Sequence, residues 1–171
     1  MASEIYDVKE LQEQVANFSS SLAEKLRKQQ SAVSEMVVFA YTNRFKENEP
    51  QTHGSILISF ITPTSDVRVI VSKAVEGAKE LFKTGYGYKK AGVIANKIVS
   101  DKCVMHSLFE DAEATEREHK ITTVLDSINK TFGKGTVKLA IQGSGHIKSS
   151  SDNQSPHYTT LWSDIPKVSV K

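Results

Sequence analysis

The spacing of apolar side chains switches repeatedly along the first hundred residues, and each switch falls on a breaker. Val8, Leu11, Val15, Phe18, Leu22 and Leu26 recur every three or four positions, the pattern of one buried helical face over residues 8–30. Asp7 is placed to cap this helix, and Lys25, Arg27 and Lys28 near its end suit the helix dipole. Residues 35–44 and 55–62 read as strands joined across a polar loop, 45–54, that contains Pro50 and Gly54. Pro63-Thr64-Ser65-Asp66 stops the second strand and starts a helix with Val67, Ile70, Val71, Ala74, Ala78, Leu81 and Phe82 on one face, ended by Gly85. After Gly85 and Gly87, the β-branched Val93, Ile94, Ile98 and Val99 mark a further strand. The order helix, strand, strand, helix, strand is a βαββαβ unit lacking its first strand. It predicts an α+β fold with two helices on one face of an antiparallel or mixed sheet.

At the root of that last strand, residues 84–100 combine a glycine turn with Tyr86, Tyr88, Lys89 and Lys90. Lysine neutralises phosphate and tyrosine offers a hydroxyl and a flat face, so the group suits a nucleic-acid backbone. It equally suits half-buried turn aromatics beside lysines that keep a sheet edge soluble. Composition narrows the choice of function. A chain of 171 residues can bury one substantial core plus a smaller appendage. No apolar run approaches a membrane span and the N-terminus has no signal-peptide pattern, so a cytoplasmic location is expected. Cys103 is the only cysteine, and His53, His106, His119, His146 and His157 show no metal-ligand spacing, so neither an internal disulfide nor a metal site is expected. The spacing of Ile121, Val124, Leu125, Ile128 and Phe132 marks a helix with one apolar face. After it, Gly133-Lys134-Gly135-Thr136 lacks the upstream glycine of a phosphate-binding loop and reads as a helix cap before a strand at residues 137–142. The net charge of +2 divides into two mildly basic parts around an acidic connector, weaker than the signature of a dedicated nucleic-acid binder, so any affinity for DNA should be modest and salt-sensitive. No catalytic constellation emerges.

Gly85-Tyr86-Gly87-Tyr88-Lys89-Lys90-Ala91-Gly92-Val93 resembles the segment opening the last strand of the little-finger domain in UmuC-type Y-family DNA polymerases. Thr42-Asn43-Arg44-Phe45 with Gln51 resembles that family's hairpin, and residues 23–29 resemble its first helix. Residues 128–137 and Ser155-Pro156-His157-Tyr158-Thr159-Thr160-Leu161-Trp162 resemble its C-terminal extension. The resemblance covers nearly the whole chain. It implies a little-finger domain over residues 3–101, an acidic connector over 102–119, and an extension over 120–171 made of a helix, a strand, a flexible loop and a tail. It implies the DNA-binding part of an error-prone translesion polymerase of the SOS response. That part would grip the sugar-phosphate backbone of damaged primer-template DNA through Thr42, Arg44, Lys46, Tyr86, Tyr88, Lys89 and Lys90. The catalytic palm and its Mg²⁺ belong to upstream parts of such polymerases, so no enzymatic activity and no cofactor are expected of this chain.

The connector occupies the place of the family's sliding-clamp motif. Leu108 and Phe109 match its apolar end, and Met105 stands where a glutamine is expected. The alternative implied function is therefore an interaction module that docks the polymerase on the clamp or on accessory subunits. In the common ferredoxin-like order the missing first strand would be central, beside the last one. Its loss would expose the backbone of residues 93–99, to be filled by residues 137–142 or by a second molecule through self-association.

Overall fold

The computed structural model describes residues 4–46, 48–101 and 112–143. Helix α1, Val8–Lys28, starts where the sequence places it, with the Asp7 carboxylate accepting the Lys9 N–H at 3.3 Å. Its buried face holds Leu11, Val15, Ala23 and Leu26. Phe18, expected on that face, is exposed; Ser19 goes inward instead and satisfies its hydroxyl by donating to the Val15 carbonyl at 2.7 Å. Helix α2, Val67–Leu81, is capped by Asp66, whose carboxylate accepts the Arg68 N–H at 2.7 Å, and it buries Val67, Ile70, Val71, Ala74 and Ala78. It ends earlier than Gly85, because the Tyr88 hydroxyl donates to the Leu81 carbonyl and accepts the Lys83 N–H, both at 2.9 Å. Gly85, at φ 89°, forms the turn that follows.

Three strands, β1 Ser31–Thr42, β2 His53–Thr64 and β3 Tyr88–Ser100, form an antiparallel sheet in the order β2-β1-β3. This corrects the ferredoxin-like order, in which Ser31–Thr42 and Tyr88–Ser100 would not be neighbours. Here β1 is central and pairs along almost its whole length with both others. Its helix-side residues Val33, Met36, Val38 and Ala40 are all buried, which is what a strand under two helices requires. The chain before α1 lies on the outer edge of β3, where Ile5 and Tyr88 exchange two backbone hydrogen bonds of 2.9 Å. Beyond Tyr88 that outer edge pairs with no strand among the described residues. Pro63 lies within β2, which is tolerated because β2 is an edge strand and proline has no N–H to offer.

Both α1 and α2 pack on the same side of the sheet, and the core between them contains Leu11, Val15, Met36, Val38, Ile70 and Tyr88. The extension departs from expectation in two ways. Residues 137–142 form no strand: Leu139 packs against the core and leads into a 3-10 turn, Ala140–Gln142. Gln142 anchors that turn, since its carbonyl accepts from the Asn17 amide at 3.1 Å and its own amide donates to Asn17 Oδ1 at 3.2 Å. These residues therefore do not fill the edge of β3. Helix α3, Ala112–Phe132, is present, but its apolar stripe is not buried in the core: Ile121, Val124 and Phe132 are exposed, and Leu125 and Ile128 are only half-buried. The inward side is set by Asp126, which accepts two hydrogen bonds from the Arg27 guanidinium at 2.6 and 2.7 Å, and by buried Thr122. A bidentate arginine–carboxylate pair fixes orientation as well as distance, so it outweighs the apolar stripe in deciding how the helix turns. No helix among the described residues is long and apolar enough to cross a membrane.

Candidate nucleic-acid interface

Because α1 and α2 cover one side of the sheet, the other side carries no helix among the described residues, and strand alternation decides which residues it shows. Across the three strands it shows the rows His53–Tyr41–Lys90, Ser55–Phe39–Gly92 and Leu57–Val37–Ile94. The first row is basic and aromatic; the third is apolar. Phe39 and Tyr41 stack along β1 with ring centroids 5.1 Å apart. The Phe39 ring closes over Gly92, where an added Cβ would lie 2.7 Å from it, so only glycine permits this arrangement. An open depression of about 320 Å³ at the same end is lined by Tyr41, Thr42, Arg44, Gln51, Thr52 and His53.

The residues expected to contact DNA do not share one surface. Thr42 and Tyr88 are neighbours across β1 and β3 beside a register shift, and both point to the helix side. Thr42 is buried, and its hydroxyl donates to Gln51 Oε1 at 2.7 Å and accepts the Thr52 N–H at 3.0 Å, which closes the hairpin. Tyr88 is only 1% exposed, and burial pushes its phenol pKa up. Both side chains are engaged inside the fold rather than presented to solvent. Tyr86 is half-buried against the core, and Lys89 is half-buried with its interactions already engaged. Lys46 pairs with Glu49 at 2.8 Å and Glu4 at 2.9 Å. Arg44 and Lys90 are exposed and form no ion pair with any described residue. Met105, Leu108 and Phe109 lie outside the described residues.

The Glu4–Lys46 pair ties the chain before α1 to the hairpin. Tyr6 reinforces it by donating its hydroxyl to the Glu4 carboxylate at 3.0 Å, and its ring lies against Gly87, where a Cβ would be 2.7 Å away. The hydrogen bond from Lys46 holds the Glu4 carboxyl below the usual glutamate range, while those to Glu49 and Glu4 raise Lys46 well above the usual lysine range. A depressed carboxyl pKa contributes stability above the ordinary glutamate value and loses it as pH falls through the folded value; the raised lysine loses its contribution only in strong alkali. The tie is thus complete at neutral pH and opens in acid. Amide exchange at Ile5 and Tyr88 is expected to quicken as pH drops below the usual glutamate range, beyond the intrinsic pH effect, and Glu4→Gln should abolish that dependence.

No motif in the sequence singles out Tyr41, Phe39 and His53. The alternation of Val37, Phe39 and Tyr41 with the buried Met36, Val38 and Ala40 carries the signal, because it puts the aromatics opposite whatever the helices cover.

Comparison with known proteins assigns the chain. The model for the impB/mucB/samB family C-terminal domain matches residues 1–108. The chain belongs to this family. Among its relatives within the impB/mucB/samB group, Protein UmuC of Salmonella typhimurium strain LT2 is 33% identical over 165 residues, covering 96% of this chain and 39% of the relative. Protein SamB of Salmonella typhimurium is 31% identical, covering 94% of this chain and 38% of the relative, and Protein ImpB of the same species is 28% identical with 95% and 38% covered. The chain thus spans about two fifths of the length of the curated impB/mucB/samB relatives it matches. A second model, for a domain of unknown function (DUF4113), matches residues 119–168.

Proposed function

We propose that this C-terminal impB/mucB/samB domain is the DNA-gripping little finger of a translesion polymerase. The helix-free face of the sheet and the corner of the β1–β2 hairpin hold the sugar-phosphate backbone of damaged primer-template DNA. The observation that carries this reading is the placement of Arg44 and Lys90, exposed cations at one end of a sheet face that no helix covers among the described residues, with Tyr41 and His53 beside them. Cations on an open face neutralise phosphates, and the half-exposed Tyr41 and exposed His53 add contacts to sugar and phosphate that carry no base preference. A polymerase that must accept distorted templates needs such a grip, indifferent to sequence. Nucleotidyl transfer, with its Mg²⁺, belongs to another part of the longer protein, and this chain contributes position and hold.

Fluorescence anisotropy with several primer-template duplexes of unrelated sequence tests the proposal. Similar affinities, whose logarithm falls linearly with the logarithm of salt concentration, are expected. Absence of binding at low salt, or strong discrimination between sequences, would overturn it.

A further inference from the structure

Helix α3 is held by polar groups and leaves Ile121, Val124 and Phe132 of its apolar stripe outward, with Leu125 and Ile128 half-buried. Asp126 is clamped by Arg27, and the Asn129 amide brackets Val137, donating to its carbonyl at 3.0 Å and accepting its N–H at 2.9 Å. On the free side Ile121 is 49% exposed, Val124 59% and Phe132 74%. An amphipathic helix that leaves the greater part of its apolar stripe uncovered by its own domain presents that part to something else.

We propose that residues 156–168 of the same chain cover this stripe. Two observations choose this occupant over others. A single family model spans residues 119–168, so α3 and the C-terminal segment recur together as one unit. That segment also carries the matching chemistry, with Tyr158, Leu161, Trp162, Ile165 and Val168 concentrated in it after a stretch rich in Gly, Ser, Asn and Asp. The reach is sufficient. The 3-10 turn ends beside α1 at Gln142, and the residues between Gly143 and Pro156 can extend to roughly 40 Å, whereas a helix of the length of α3 spans roughly 30 Å. A tether of this kind gives the segment an effective concentration on the order of millimolar at the stripe, so even weak apolar contacts are occupied.

Trp162 is the only tryptophan in the chain and reports on its own burial. In the full chain its emission is expected to be blue-shifted and shielded from acrylamide relative to the urea-unfolded protein, at every concentration tested. Val124→Glu and, separately, Phe132→Ser should each shift the emission back toward the unfolded position. Both side chains are exposed in the described structure, so the melting of the sheet and helices, followed by circular dichroism, should not change. Three outcomes overturn the proposal: a Trp162 that is solvent-exposed in the native chain, a shielded Trp162 indifferent to both substitutions, or shielding lost on dilution together with dissociation of a dimer. The last would assign the stripe to a second copy.

Discussion

Tyr88→Ala is expected to destabilise the domain by about 3 to 5 kcal/mol, the range for deleting a large buried aromatic side chain. Tyr88 joins three elements. Its ring lies in the core 5.7 Å from that of Phe82, its backbone pairs with Ile5, and its hydroxyl holds the end of α2 through Leu81 and Lys83. Tyr88→Phe keeps the ring and removes only the hydroxyl, so it should cost about 1 kcal/mol, the worth of a typical hydrogen bond in this setting. Urea denaturation followed by circular dichroism separates the two variants by their midpoints. A Tyr88→Ala protein with wild-type stability and lost DNA affinity would return Tyr88 to the contact surface.

Joint replacement of Arg44 and Lys90 by alanine should lower affinity for every duplex alike. It should reduce the slope of log K against log salt by roughly 1.8, since each phosphate contact contributes about 0.9. At about 0.15 M salt this counterion release alone corresponds to a loss on the order of 30-fold. The stability of the fold should be unaffected, because both side chains are exposed. Lys46→Ala is the informative comparison: its ammonium is already held by Glu4 and Glu49, so the slope should change by far less. Equal slopes for wild type and the double variant would remove this corner of the sheet from the interface.

The sequence by itself determined what depends on near neighbours in the chain. Asp7 and Asp66 open helices because a carboxylate reaches an N–H two residues on, an interaction complete within the segment. The order of elements, the length of the hairpin connection and the basic, aromatic root of β3 were legible for the same reason. So was the family, whose resemblance rests on local strings such as Gly85–Val93 and whose model matches residues 1–108. Strand order was not legible, since pairing of Ser31–Thr42 with Tyr88–Ser100 joins residues far apart in sequence and no local signal distinguishes one neighbour from another. The candidate contacts were divided by the same kind of fact. Tyr88 and Lys90 are two residues apart and both look like surface groups, yet the register shift at Tyr41–Thr42 and the two helices over one face send Tyr88 into the core and leave Lys90 outside. Helix α3 is the clearest case. Periodicity established that it has an apolar stripe, whereas the direction of that stripe was set by the Arg27–Asp126 pair, whose partners are brought together only when α1 and α3 meet. An amphipathic pattern specifies that a face exists; what covers it depends on contacts between distant segments, and those belong to the tertiary structure.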